Sequence, residues 1–369
     1  MGVTLRSQSS QDAKFPIVCT ADIDSQVLRD LLSHDRLVLV AKRDLSELIT
    51  NRDDGKLDSF ETPFTEELPD AYDLLGEFMD AAKSRRHGDI SHKSFVILDE
   101  TTAEDGKTCQ IAVDGREDEQ SNEIHIAFRC ELASATHGLA AIEAASEAQL
   151  TKGIRDLRNE AAMVGGVWSK QRVDEFRSRP KRIDAGDYPP HENWDEGSGP
   201  ENPDTDIPYF PIFQTAEISL ETLNQFLKET YDQDWGDEEI AGPSMAFVTS
   251  ISEAPFHSGK ADAHLDSAPK VPSALFGASA VECDAIVRSR FPGGSEMNYN
   301  LFIVLDELTE KEKTVIVAAN NELDGQLLLG RTDFKSALTV LVAPSDTSLT
   351  VDSQINSAVT EGPGIIYDE

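Results

Sequence analysis

Along the first third of the chain, apolar residues come in two arrangements, unbroken short blocks and blocks spaced at helical period. Residues 15–21 (FPIVCTA) form a block of strand length. Asp22 to Asp24 then supply N-cap chemistry, and Val27, Leu28, Leu31 and Leu32 fall on one face of the helix expected next. A second strand is predicted at 37–41 and a loop at 50–67. Ala71, Leu74, Leu75, Phe78 and Ala82 recur at i, i+3, i+4, i+7 and i+11, which predicts a helix from 69 to 88 with one buried side. The run SFVILDE, ending at Glu100, reads as a third strand. Strands at 109–113 and 124–128, close enough to be hairpin neighbours, and an Ala-rich helix over 134–150 follow.

The same pattern then returns. FPIFQTAEISLETLNQFL from Phe210 repeats FPIVCTADIDSQVLRDLL from Phe15, with Ser219 at the cap position and Leu220, Leu223, Phe226 and Leu227 on one helix face. LFIVLDE, ending at Glu307, repeats SFVILDE, and in both copies a polar turn and Lys-Thr follow. Arg129 to Ala135 (RCELASA) matches Arg331 to Ala337 (RTDFKSA). Between these landmarks the second copy predicts a strand at 246–249, a helix over 275–290 stopped by Pro292-Gly293-Gly294, and strands at 314–318 and 326–329. Three collinear matches predict an internal duplication. The expected fold is α/β, with α+β as the alternative. It would comprise two tandem homologous domains related by a pseudo-twofold, each a mixed sheet covered by helices. The expected organisation is a flexible start at 1–14, one repeat at 15–150, a connector and linker at 151–208, the second repeat at 209–345, and a tail at 346–369. The second copy is longer between the landmarks, and the extra material is placed near 252–270.

Several of these residues carry a resemblance. A strand ending in T-A-D or T-A-E runs straight into an amphipathic helix, a later F-V-I-L-D or F-I-V-L-D strand follows, and a closing strand enters E-L-x-x-A or D-F-x-x-A. Each copy resembles a domain of unknown function found as short stand-alone bacterial proteins and in longer fungal ones. The resemblance covers 15–148 and 210–344. It implies the repeated fold, and since that family has no assigned activity, it implies no catalytic residue.

Length and charge sharpen the picture. A chain of 369 residues exceeds one ordinary core. Its 33 Lys and Arg stand against 68 Asp and Glu, a formal charge of −35 that repels phosphate backbones and anionic lipid. Neither nucleic acid nor membrane is an expected partner; a protein or a small-molecule ligand is. Within this acidic chain, residues 152–182 carry nine basic residues against four acidic ones, which predicts a cationic connector lying on acidic domain surface. Cys19, Cys109, Cys130 and Cys283 show no CxxC pair, which predicts buried reduced thiols. With no secretory signal at the start and no apolar run of membrane length, a cytoplasmic location is expected.

The candidate chemistry is sparse. No P-loop, G-x-G-x-x-G or G-x-S-x-G sequence occurs, so no cofactor is called for. Asp99-Glu100 and Asp306-Glu307 end strands, where α/β folds place ligands or simply begin turns. Arg129 and Arg331 follow apolar strands and precede Glu131 and Asp333 by two residues, which suits either an arginine–carboxylate clamp or an anion site. Phe256, His257, His264 and Asp266 cluster in the insertion as candidate ligand contacts, at a spacing that matches no standard metal site. The expected function is therefore an acidic, soluble, non-catalytic binding protein. The alternative is a cofactor-independent isomerase, cyclase or lyase, with its site in the inter-domain cleft or under the second-domain insertion.

Overall fold

In a computed structural model, the described residues are 14–42, 45–64, 90–91, 93–114, 124–145, 147–188, 209–232, 244–291, 297–320, 327–342 and 365–366. The helix predicted over 69–88, the stop at 292–294, the flexible start at 1–14 except its last residue, the linker beyond 188 and all of the tail but 365–366 fall outside them. The chain forms two compact units that divide between Asp174 and Glu175.

The first unit holds strands β1 (Phe15–Cys19), β2 (Leu37–Val40), β3 (Leu48–Ile49), β4 (Ser94–Leu98), β5 (Thr108–Asp114) and β6 (Ile124–Glu131). They form one sheet in the order β3-β2-β1-β4-β5-β6. β1 is parallel to both β2 and β4, whereas β4, β5 and β6 run antiparallel to one another. The second unit holds β7 (Phe210–Gln214), β8 (Met245–Phe247), β9 (Leu301–Leu305), β10 (Thr314–Asn320) and β11 (Leu327–Asp333). Read from β8, the order β8-β7-β9-β10-β11 repeats β2-β1-β4-β5-β6 with the same directions. Register repeats too: Ile17 pairs with Val96 as Ile212 pairs with Ile303. The isolated bridges Lys14 to Ile90 and Tyr209 to Met297 extend the match beyond the strands. Both units are thus mixed α/β sheets of one topology, and β3 is an additional edge strand of the first.

The helices follow from amphipathic spacing. In the second unit α6 (Leu220–Tyr231), capped by Ser219, buries Leu223, Phe226 and Leu227. These pack with Ile212, Ile303, Leu305, Val315 and Val317 and with Leu338 and Leu341 of α9 (Ala337–Val342). Burying each such large side chain contributes ~1.5–3 kcal/mol. The opposite sheet face carries Phe213, whose ring lies 5.6 Å from Phe302 and 6.3 Å from Phe291, just after α7 (Ala280–Arg290). In the first unit α1 (Ser25–Leu32), capped by Asp24, and α3 (Ala135–Ala144) take the places of α6 and α9. Gly138 of α3 lies so near Phe128 of β6 that a Cβ there would stand 2.9 Å from the ring.

The sequence pattern and the structure part company at the strand ends and at the edge of the first sheet. The polar turns after LDE are helices: α2 (Glu100–Asp105) and α8 (Glu307–Glu312), each opened by a capping box between Asp99 and Thr102 or Asp306 and Thr309. The Ala-rich helix is also two helices, because Ala145 turns extended after α3, and α4 (Glu147–Met163) then packs on β6. The chain comes back through Gly165 and Gly166, both at positive φ, to lay Trp168 along the edge of β6. There Trp168 N donates to Arg129 O at 2.9 Å and Glu131 N to Trp168 O at 3.0 Å. Ile366 does the same for β11, its N donating to Arg331 O at 2.8 Å. Finally, α5 (Lys170–Arg177) starts from Ser169.

Candidate functional site

The carboxyl ends of the parallel strands hold the polar residues that both units share. Arg129 and Arg331 are buried, at 0% and 1% exposure, on the sheet face opposite the α6-type helix. Each guanidinium grips the strand-end aspartate through both terminal nitrogens: Nη2 of Arg129 pairs with Asp99 Oδ2, and Nη2 of Arg331 with Asp306 Oδ2. Nη1 reaches the other carboxylate oxygen at 3.3 Å in both units and a threonine hydroxyl, Thr108 at 3.3 Å or Thr314 at 3.0 Å. The same aspartates cap α2 and α8, so one carboxylate ties a strand end, a helix start and a neighbouring strand together. The carboxylates two residues on do other work: Glu131 meets Arg172 at 3.4 Å, and Asp333 accepts from Ser336 N at 2.9 Å. Burial pushes the Asp99 carboxyl up, but Arg129 and Thr102 outweigh it and hold it below its ordinary value. Gln110 adds a donor to Asp99 at 2.9 Å, and the residue at the same register in the second unit is Ile316.

The insertion is anchored at three points. Thr249 N and Ser250 N donate to Phe256 O at 2.8 and 3.1 Å, which extends the β8 edge, and the Phe256 ring packs on Phe291 at 5.0 Å. Ala261 N donates to Met245 O at 2.8 Å, and the Tyr231 hydroxyl donates to Ala261 O at 2.9 Å. Asn224 of α6 then clasps Leu265, its amide donating to Leu265 O at 3.1 Å and its oxygen accepting from Leu265 N at 2.7 Å. Of the four residues singled out from the sequence, Phe256 and His257 are half-buried and packed, His257 against the Tyr209 ring at 5.4 Å. His264 and Asp266 are exposed on either side of the Leu265 anchor. Among the described residues no group of three or more His, Cys, Asp or Glu is arranged to hold a metal ion.

The second half of the basic connector docks on the second unit. Glu282, in the first turn of α7, accepts from Arg182 N at 2.6 Å and Ile183 N at 2.8 Å through one oxygen. Its other oxygen closes the capping box on Ser279 N and Oγ, both at 2.8 Å. Burial raises the Glu282 carboxyl, but these backbone and hydroxyl donors hold it below its ordinary value. Arg179 pairs with Glu307 of α8 at 2.5 Å, Ile183 is buried, and the Arg290 guanidinium lies 5.2 Å from the Tyr188 ring centre. Gly277, at φ 81°, makes room: a Cβ there would stand 3.2 Å from Arg182 Nε. Gly277 N also donates to Thr215 O at 2.7 Å, so the docked segment sits at the carboxyl ends of β7 and β9. The crossovers from β7 and from β8 cover opposite sheet faces, which makes the β7–β9 boundary the topological switch point of this sheet.

Sequence reasoning passed over Asp284. In α7 it is buried, at 8% exposure, with Oδ2 accepting from Arg288 Nε at 2.8 Å. Asn320 stands beside it, accepting from Arg288 and donating to Tyr299 O at 3.3 Å, while Asp284 Oδ1 has no hydrogen bond among the described residues. Burial pushes this carboxyl above its ordinary value against the pull of Arg288 and the neighbouring Asn320 amide. Its only trace in the sequence is an i, i+4 Asp–Arg spacing, which usually marks an exposed pair.

No protein-family model matches this chain, and no curated protein or solved structure matches it at a significant level. Among the described residues no helix is long and apolar enough to cross a membrane.

Proposed function

We propose that the protein is a non-catalytic binding protein made by duplication of one α/β unit, with recognition concentrated in the second copy. The observation that carries this reading is how the copy-specific material is held. The insertion and the basic segment are each fastened by a side chain bonded to backbone, Asn224 on Leu265 and Glu282 on Arg182 and Ile183. Such fixing gives a pre-organised surface, which lowers the ordering cost of binding. The shared Asp99–Arg129 and Asp306–Arg331 pairs, by contrast, are engaged with each other and with helix starts. An acidic chain with a net charge of −35 favours cationic partners. The reading is tested by thermal shift of the full chain against a panel of cationic peptides and small metabolites, with mass spectrometry of the panel afterwards. A cationic peptide at a hundred times its Kd stabilises by ~2.7 kcal/mol, and every panel member is recovered unchanged.

Asp284 supports the second reading, a cofactor-independent isomerase, cyclase or lyase. A carboxyl raised by burial, with one oxygen free of hydrogen bonds among the described residues, is suited to proton transfer. Consumption of a panel metabolite that disappears in Asp284→Asn, with the fold retained, would replace the binding reading by this one.

A further inference from the structure

The docked segment identifies the kind of partner the second unit fits. Residues 179–188 read RPKRIDAGDY, and the unit meets this stretch with three residues, Glu307, Glu282 and Gly277. Arg179 meets the Glu307 carboxylate at the start of α8. The backbone N–H groups of Arg182 and Ile183 converge on one oxygen of Glu282, so recognition there is of an extended main chain and not only of charge. The Arg182 side chain lies over Gly277, where a Cβ would stand 3.2 Å from its Nε and the φ of 81° favours glycine. Ile183 is buried at 5% exposure, an apolar anchor whose N–H meets Glu282. Together they place a short basic segment across the β7–β9 switch point, where sheets of this kind receive ligands.

We infer that this edge of the second unit is a receptor site for a basic linear segment with an Arg-x-x-Arg-aliphatic pattern. In the free chain the site is filled by residues 179–188, and a partner protein presenting such a segment exchanges with them. The inference rests on the binding reading above and deepens it by naming the partner's chemistry. The tethered occupant acts at an effective concentration in about the millimolar range, so a partner must bind more tightly than that or first loosen the tether.

The test uses the full-length chain and a fluorescent peptide, SRPKRIDAGDY, copied from residues 178–188. In wild-type protein the tethered copy competes. In the Arg179→Ala, Ile183→Asp variant the tether is loosened, and the peptide is expected to bind at least about tenfold more tightly than to wild type. Adding Glu307→Arg to that variant should weaken the peptide about tenfold or more, and a peptide carrying glutamate in place of its first arginine should recover most of the loss. Circular dichroism confirms the fold of each variant. The inference is overturned if the loosened chain does not take up the peptide. It is equally overturned if Glu307→Arg leaves binding unchanged, or if a scrambled peptide of the same charge binds as well. Uptake of other cationic peptides by a chain that refuses this one would sink the receptor site and leave the binding reading standing. Failure to bind any peptide, with turnover of a metabolite, would sink both.

Discussion

Gln110 and Ile316 stand at the same register beside the same clamp, and they separate the two units more sharply than any difference in strand order. In the first unit Asp99 Oδ2 has two donors, Arg129 and Gln110; in the second, Asp306 Oδ2 has Arg331, and the register of Gln110 is held by Ile316, which has no side-chain donor. A second contrast has the same flavour. β6 carries Phe128 opposite Gly138 of α3, whereas the matching positions of β11 and α9 are Gly330 and Val340, so bulk has moved from strand to helix. Topology and clamp are held constant while the residues around them trade polarity and volume.

The largest test of this comparison removes the arginines. Arg331→Met leaves a buried carboxylate without its charge partner and is expected to destabilise by ~3–5 kcal/mol. Arg129→Met should cost less, by about 1–2 kcal/mol, because Gln110 still serves Asp99. Urea denaturation of both variants, and of the exchanges Gln110→Ile and Ile316→Gln in each background, measures the difference; equal losses would show that Gln110 contributes nothing. Asp99 is held below its ordinary value, so its stabilisation is complete above the unfolded carboxylate range of about pH 4 and is lost as pH falls through its own folded value. Arg129→Met should therefore flatten the acid limb of the stability curve.

Next in size is the volume exchange. Gly138→Val forces a methyl group into the Phe128 ring and is expected to cost ~1–3 kcal/mol. Pairing it with Phe128→Ala should recover part of that loss, a coupling readable in a double-mutant cycle. Asn224→Ala removes both bonds to Leu265 and should cost ~1–2 kcal/mol. Its signature is local: faster proteolysis within 252–270 while the sheet persists by circular dichroism. The smallest effect is one of reactivity. All four cysteines are buried, and burial pushes the Cys19, Cys130 and Cys283 thiols up. Alkylation at pH 8 should be negligible in the native protein and complete after unfolding.

The strands are legible in the sequence because buried parallel strands read as unbroken apolar runs, and the repeat states their order twice over. The short helices α2 and α8 are hidden because six residues cannot show a period; their signal is the D-x-x-T capping box at Asp99 and Asp306. For the arginines a clamp is one of two uses the sequence allows, but it points to the acids two positions on. Neighbours in a strand point to opposite faces or along one edge, so the partner has to come from another strand end. Of the insertion residues, Phe256 and His257 are brought into the packing and His264 and Asp266 are not, a division set by the Leu265 anchor, which only the fold reveals. Glu282 escapes a sequence reading because its role is to receive backbone N–H groups from a hundred residues away, and such a bond leaves no pattern in side-chain types. A Gly-Val-Trp at 166–168 against a Gly-Ile-Ile at 364–366 is the one trace that each unit ends on a returning residue.

That returning residue bears on how the protein is made. While a ribosome synthesises the stretch between β6 and Trp168, the first sheet has an exposed strand edge with open N–H and C=O groups, a template for pairing with another chain. The second sheet has the same exposure between β11 and Ile366. At ordinary translation rates each window lasts on the order of seconds, long enough for chaperones to engage or for nascent chains to associate. Truncations that stop after α3 or after α9 would make the exposure permanent, and such fragments are expected to aggregate even though every strand of their sheet is present.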